Sequence, residues 1–525
     1  MKMKTKTIFK RKVNLGLLFS AMILTSVVGC QKGTFDINNV NPNSPTSAPA
    51  KYSLSSSLAG TANLVMGGNG DVLDNWMGYW TQSGGYTPST TYVIYQITSS
   101  NFTGNFDNAY LNLANYNLLA KTAGSDPLQA NYKAIAMIMQ VYVYQRLVDL
   151  YNSVPYSQAL QTSSGVFTYK YDDPKTIYAS LVAKCDTVVK LIAANPNATN
   201  VGNYDIMFGG EMSKWTQFAK TMKLKLLMRQ TQAGLGDAGV KAALSGSTTS
   251  DYLTVDAAVN PGYSNASDAQ LNPFYFDAIG NATGGNGQNN VYWRANSYAV
   301  KFYQDNNDAR GNYVYAPSGK ETRNYTSPIS DLSQIKGREY GSVNGNGESN
   351  TVISSIVGTG FNANGTPKGP SQPSLLLPAS ESLFLQTEAL YRGYITGATV
   401  EAEYKAAVKE SFKFLGVTNY SDVADAYTSQ SNTMTNYAFS TNKLRTIITQ
   451  KWAAMNTIDP LESYSDWRRL GIPTDLPVSK YPGVTVTHIP YRLPYPINET
   501  TLNGANVPSG GTGTDLFTSK IFWMP

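Results

Sequence analysis

Leu147-Val148-Asp149-Leu150-Tyr151-Asn152-Ser153-Val154-Pro155-Tyr156-Ser157-Gln158-Ala159-Leu160 reads as the end of a buried helix followed by a stop. Upstream, Tyr132, Ile135, Ile138, Met139 and Tyr142 lead into Leu147, Val148 and Tyr151 at helical spacing. Asp126-Pro127 supplies an N-cap and a first-turn proline. The apolar positions cover more than one stripe, which predicts a central helix buried on several sides. Val154-Pro155 ends it, because proline disfavours helical backbone at the residue before it.

The same signals recur downstream. Asp173-Pro174 caps a helix through Tyr178, Leu181, Val182, Val188 and Leu191 that stops at Asn195-Pro196. Further helices are expected over about 213–232, 380–394, 400–415, 442–455 and 462–470, with Thr396-Gly397 joining two of them. The stretches 55–105, 245–375 and 471–525 are rich in Gly, Asn and Pro and read as long ordered loops with small hairpins. The pattern is all-α: antiparallel helix pairs carrying elaborate loops in a single large domain. No 34-residue period is visible that would assign a repeat type.

At the N-terminus, Lys2, Lys4, Lys6, Lys10, Arg11 and Lys12 precede an apolar run from Leu15 to Leu24, and Val27-Val28-Gly29-Cys30 follows. A basic segment, an apolar segment and small residues before a cut site predict a signal peptide over 1–29. Gly29-Cys30 resembles a bacterial lipobox, which implies diacylglycerol on Cys30 and an acylated new amine. Two or three chains suffice for stable anchoring at ~0.8 kcal/mol per buried CH₂. Residues 30–51, with Asn41-Pro42-Asn43-Ser44-Pro45, read as a lipidated polar tether, and 52–525 as the helical ligand-binding body. The other cysteine, Cys185, falls in a helical pattern and is expected in the core.

The 525 residues carry a formal charge of +6, but all six basic residues of the leader lie in its first twelve positions, so the remainder balances at 35 basic against 35 acidic. A neutral chain without charge runs has no electrostatic footprint for nucleic acid. Catalysis finds little support either. The single histidine, His488, has no G-x-S-x-G elbow to serve, and the chain holds too few His and Cys for a zinc site. S-x-x-K occurs at Ser333–Lys336 and Ser440–Lys443 without partner motifs, and Asp305-Asn306-Asn307-Asp308 lacks calcium-loop spacing. Glycoside hydrolysis needs only two carboxylates, so it stays as a minority alternative, although Asp172-Asp173 is explained by capping. No catalytic residue, metal or cofactor is expected.

Several segments in order resemble the SusD/RagB family of outer-membrane nutrient-binding lipoproteins of Bacteroidota. They are Phe35-Asp36-Ile37-Asn38 through Asn43; the 147–160 stretch, close to a family DLYGDVPYSEAL; and Phe208-Gly209-Gly210 with Trp215, Lys220 and Arg229. Leu385-Gln386-Thr387-Glu388-Ala389-Leu390-Tyr391-Arg392-Gly393, Gln450-Lys451-Trp452, Glu462 with Asp466-Trp467-Arg468-Arg469, and Arg492-Leu493-Pro494-Tyr495-Pro496 complete the series. Asn152-Ser153 stands where the family usually has Gly-Asp. The resemblance implies TPR-like helix pairs, a surface-facing lipoprotein and a partner, a TonB-dependent β-barrel of the SusC type. It also implies that nutrient capture, not chemistry, is the task. Trp215, Trp452 and Trp467 are expected in the core, and Arg229, Glu388 and Arg468 in buried charge pairs.

Tyr, Trp and Asn suit carbohydrate surfaces, since flat apolar rings meet sugar C–H faces and amides meet ring hydroxyls. Two segments fit: Asp74-Asn75-Trp76-Met77-Gly78-Tyr79-Trp80 and Asn289-Asn290-Val291-Tyr292-Trp293-Arg294. The candidate ligand residues are Trp76, Tyr79, Trp80, Tyr292, Trp293 and Arg294. The competing reading of Trp76 and Trp80 is one buried helix face, since they are four apart. An oligo- or polysaccharide is the favoured cargo, with peptide capture of the RagB kind as the alternative. A purely structural surface lipoprotein is the third class.

Overall fold

The computed structural model describes residues 49–525 except 67–69, 162–164, 166–167, 288, 321–328, 344–350, 363–367 and 509–514. The leader, Cys30 and nearly all of the tether lie outside the described residues.

Four helices open the body: α1 (Ala50–Met66), α2 (Gly70–Trp76), α3 (Gly104–Ala123) and α4 (Ala130–Tyr151). Next come α5 (Pro174–Ala194), α6 (Met212–Arg229) and α7 (Gly236–Ala243). Short helices α8 (Pro273–Ala278), α9 (Ser297–Asp305), α10 (Gly311–Val314) and α11 (Thr359–Asn362) punctuate the long loop region. The last group is α12 (Ala379–Tyr391), α13 (Val400–Phe414), α14 (Tyr420–Thr428), α15 (Lys443–Met455), α16 (Pro460–Leu470) and α17 (Ile497–Leu502). Neighbours in sequence pack on each other, α3 on α4, α4 on α5 and α5 on α6, then α12 on α13 and α13 on α14. This is the expected all-α body of helix pairs.

Local chemistry explains the boundaries. Asp126 accepts from Leu128 N at 2.9 Å and Asp173 from Thr176 N at 2.9 Å, each ahead of a proline. Asp172 instead accepts from the Tyr156 and Ser157 backbone N–H groups at 2.8 and 2.9 Å, closing the loop after α4. In α4 only Lys133 and Met137 escape full burial, as its all-round apolar pattern requires. Its C-cap, Asn152, has φ +73° and accepts from Phe522 N at 2.8 Å through its side chain. Asparagine tolerates positive φ better than other non-glycine residues, so it can hold a cap position that favours glycine.

Among the helices that the sequence reading did not anticipate are the first three. α1 begins at the end of the expected tether and runs, like α2, into the stretch 55–105 expected as loop, and α3 carries five asparagines. Their residues are poor helix formers, and tertiary packing overrides propensity. Leu54, Leu58 and Ala62 line one fully buried face of α1, and Phe106, Leu113, Tyr116 and Leu119 one of α3. At Gly60 a Cβ would come within 2.8 Å of Asn112 Nδ2, so the glycine lets α1 and α3 approach. Thr61 then donates to Asn112 Oδ1 at 2.8 Å, and Asn112 donates to Ser57 O at 2.9 Å.

Two small antiparallel sheets join segments far apart in sequence. β1 (Trp80–Gln82) pairs with β3 (Trp293–Ala295), and β2 (Ala257–Val259) with β4 (Ser374–Leu377). A local hairpin contact links Gly280 and Asn286.

The quoted stretch is a structural hub. Asp149 is fully buried; its carboxylate accepts from Arg229 Nε and Trp523 Nε1, both at 3.1 Å, and from Gln145 Nε2 and the Tyr178 hydroxyl. Arg229 also bonds Glu462, which takes Lys225 at 3.0 Å and Lys451 as well. Glu388 holds both Arg469 terminal nitrogens at 2.7 Å. The expected pairing of Arg229 and Glu388 is therefore found. Arg468 differs: it donates to the Asp149 and Tyr491 carbonyls at 2.5 and 3.0 Å and lies over the Tyr464 ring at 3.8 Å, with no carboxylate partner among the described residues. Its charge is spread over carbonyl dipoles and a ring face instead.

Candidate binding site

The β1–β3 pairing does what the sequence could not announce: it brings the two candidate segments together. Trp80 lies opposite Ala295, Thr81 opposite Arg294 and Gln82 opposite Trp293. Yet these side chains face inward. Trp76 and Tyr79 are 0% exposed, Trp80 2%, Trp293 1% and Arg294 4%. The expectation that they form exposed platforms is corrected by that burial. Tyr79 donates to Trp452 O at 2.6 Å and stacks on the Trp452 ring at 5.1 Å, while Trp80 Nε1 donates to Thr457 at 3.1 Å. Trp76 packs on Tyr464 at 5.6 Å, and Arg294 donates to Asn290 O at 2.6 Å. Large rings in a Gly/Asn-rich context were filling the space under the loops.

Tyr292 is the exception. It is half-buried and forms the middle of an aromatic series that runs outward from the core. Trp293 sits edge-to-face with Tyr292 at 4.6 Å and with half-buried Tyr92 at 4.9 Å. Tyr292 in turn meets Tyr86 at 5.0 Å, and Tyr86 is 41% exposed. The loop that carries Tyr86 is fixed from below. Ser83 N donates to Tyr292 O at 2.8 Å, Gln82 Nε2 donates to Thr87 O at 2.7 Å, and Ser89 N donates to Gln82 Oε1 at 2.8 Å. Tyr86 was missed; its signal was an aromatic residue following Gly84-Gly85 at a turn tip.

Polar groups stand beside this edge. Asn289 donates to Asp277 Oδ1 at 2.8 Å and to Asp71 Oδ2 at 3.3 Å, bridging two half-buried carboxyls. Burial first, then the Asp277 charge, pushes Asp71 up to about 7, and burial pushes Asp277 up to about 6. Because the folded value lies above the unfolded one, the folded state holds extra protons between about pH 4 and 7. Stability therefore falls as pH rises through that window and levels off above it. Asp71→Asn is expected to remove much of this fall. Thermal melts at pH 5 and pH 8 should show the variant gaining on the order of 1–2 kcal/mol relative to the parent at pH 8 only, a value discounted for solvent access. An equal change at both pH values would show that Asp71 does not titrate in this range.

Other chemical candidates are absorbed by structure. His488 Nδ1 lies 2.8 Å from Ile489 O and its ring stacks on Tyr491 at 4.4 Å. Cys185 is buried, as expected, and burial raises its thiol pKa. Asp308 pairs with Arg310 at 2.6 Å and Asp305 with Lys301 at 2.6 Å, so the 305–308 run is a turn with paired ends. Glu381, Asp459 and Glu462 cluster closely enough to hold a metal ion, but Lys225 Nζ sits among them at 2.7, 3.7 and 3.0 Å. The ammonium occupies the position a cation would take.

A hidden aromatic seam surfacing at one tyrosine edge, on an all-α body, can be set beside known proteins. Residues 42–496 match the family model described as SusD-like, starch-binding and associating with the outer membrane. The chain belongs to the SusD-like family. A SusD homologue from Bacteroides fragilis NCTC 9343 superposes on this SusD-like chain with a TM-score of 0.70 at 19% identity, covering 91% of it and 99% of the homologue. A chitin-binding protein gives 0.67 at 24% identity, over 91% of this chain and 100% of its own. A chitin-binding SusD homologue from Flavobacterium johnsoniae gives 0.66 at 20% identity, over 90% and 98%. No curated protein sequence matches. The family is one of nutrient-binding proteins associated with the outer membrane, and among the described residues no helix of this member is long and apolar enough to cross a membrane.

Proposed function

We propose that this SusD-like protein captures an oligo- or polysaccharide at the Tyr86–Tyr292 edge and passes it to a SusC-type TonB-dependent transporter, doing no chemistry itself. The observation that carries the reading is the exposed Tyr86 ring, backed by Tyr292 and Trp293, with Asn289 and the Asp71–Asp277 pair beside it. A ring offers a flat face for sugar C–H groups, and amide and carboxyl groups meet the hydroxyls. The family match to a starch-binding description and the chitin-binding names of two structural relatives favour a glycan over a peptide. Acylation of Cys30 would hold the body at the outer membrane.

Calorimetric titration of the chain from Gln31 onward tests the reading, using malto- and chito-oligosaccharides beside an oligopeptide mixture. Saturable heat from one glycan series is expected, and Tyr86→Ala should weaken it at least roughly tenfold, the equivalent of about 1.4 kcal/mol of ring contact. Heat from peptides alone would turn the reading to a peptide importer of the RagB kind. Glycan binding indifferent to Tyr86→Ala and Tyr292→Ala would move the site elsewhere.

A further inference from the structure

A second recess shares no residue with the tyrosine edge. It is an open groove of about 1090 Å³ lying between the turn after α9 and helix α14. Gln304, Asn307, Asn312, Asn419 and Gln430 bring amides to its walls, and Asp331 and Asp422 bring carboxylates. Among the described residues no lysine or arginine lines it. Asn312 lines the groove, and its Oδ1 has no hydrogen-bond partner among the described residues. Asn307 and Asn419 both hold left-handed backbone, with φ +49° and +51°.

The walls are fixed in advance. Arg310, two residues before Asn312, is fully buried and clamped by Asp308 at 2.6 Å, Ser411 Oγ at 3.0 Å and Gln450 Oε1 at 2.5 Å. Gln450 Nε2 also donates to the hydroxyl of Tyr427, itself part of the lining, at 2.9 Å. Groups already held in place lose little freedom when a ligand arrives.

We infer that this groove is a second glycan site, one that takes a neutral oligosaccharide segment by its hydroxyl edges and rejects uronic-acid or sulfated chains. Amides both donate and accept, which matches vicinal hydroxyls that do the same. Two carboxylates, with no lysine or arginine among the described lining residues, repel an anionic polymer and leave a neutral one unaffected. The inference rests on the glycan reading above, although it concerns different residues.

Hydrogen–deuterium exchange of the full chain tests it, with maltohexaose, cellohexaose and chitohexaose as neutral probes and hexagalacturonate as the anionic one, all at millimolar concentration. At least one neutral probe is expected to slow exchange in peptides covering 304–312 and 419–430, and to do so equally in Tyr86→Ala. Asn312→Ala should weaken that protection about three- to tenfold, and so should Gln430→Ala, a wall change remote from the core. Hexagalacturonate should give none. Protection by no neutral probe, equal protection by hexagalacturonate, or indifference to both amide variants would overturn the groove. Tyr86-dependent binding without groove protection would overturn the groove and leave the tyrosine edge standing. Silence toward every glycan by calorimetry and exchange would sink both.

Discussion

Glu462→Ala is expected to destabilise the fold by about 3–5 kcal/mol, because it strands buried cations rather than deleting one contact. Glu462 accepts from Arg229 Nη1 at 3.0 Å, lies 3.0 Å from Lys225 Nζ and also takes Lys451, and these side chains are 0 to 2% exposed. Three positive groups left without their shared carboxylate must then be carried in a medium that solvates them poorly. Urea unfolding followed by circular dichroism measures the effect. Glu211→Ala is the control, since its partner Lys214 at 2.8 Å is a surface neighbour and Glu211 is 58% exposed. That change should cost less than about 1 kcal/mol. Equal costs for the two variants would remove the hub from any account of stability.

The same network predicts acid lability. Burial alone would raise the Glu388 pKa, but the Arg469 guanidinium outweighs it and holds the carboxyl down to about 2. Glu462 is likewise held well below its usual range, against burial, by Arg229, Lys225 and Lys451. For groups depressed in this way the stabilisation is full above the unfolded value near 4.5 and drains as pH falls toward the folded one. Loss of stability below about pH 4.5 thus belongs to these depressed carboxyls, whereas loss above pH 4 belongs to carboxyls raised by burial, Asp71, Asp277 and Glu381 among them.

Trp293→Ala is the second large effect, expected at about 3–5 kcal/mol of stability, the usual range for emptying a buried aromatic site. Trp293 is 1% exposed, and its ring supports both Tyr92 and Tyr292. Tyr86→Ala should leave the melting temperature nearly unchanged while weakening glycan binding. The pair separates the inner ring from the outer one. If Trp293→Ala melted like the parent and lost only ligand, the assignment of inner and outer rings would be reversed.

Helices were legible where caps and period agreed. Asp126-Pro127 and Asp173-Pro174 marked their starts, and α4, α5, α6, α12, α13, α15 and α16 lie within a few residues of expectation. α1 and α3 were not, because Ser57, Thr61 and Asn112 look like loop residues until their hydrogen bonds across the two helices are seen. The family resemblance pointed at the 147–160 stretch, and the structure explains why it is diagnostic: Asp149 ties several helices together. The site was harder. Which face of Trp76 or Trp293 is covered depends on β1 meeting β3 across some two hundred residues, and local composition carries no trace of that pairing. Tyr292 was named for a sound reason, since it alone of the six candidates keeps a partly open ring.

The hub also imposes an order of assembly. Trp523 closes on Asp149, and Phe522 N closes on Asn152, so the end of α4 is sealed by residues 374 and 370 positions further along the chain. Synthesis runs from the N-terminus, and early segments ordinarily fold first. Here Asp149 can meet Gln145, Tyr178 and Arg229 first, and it gains the Trp523 donor only once that distant segment arrives. Helix pairs formed by neighbouring segments can therefore come together before this seal, which joins the end of α4 to a segment remote in sequence.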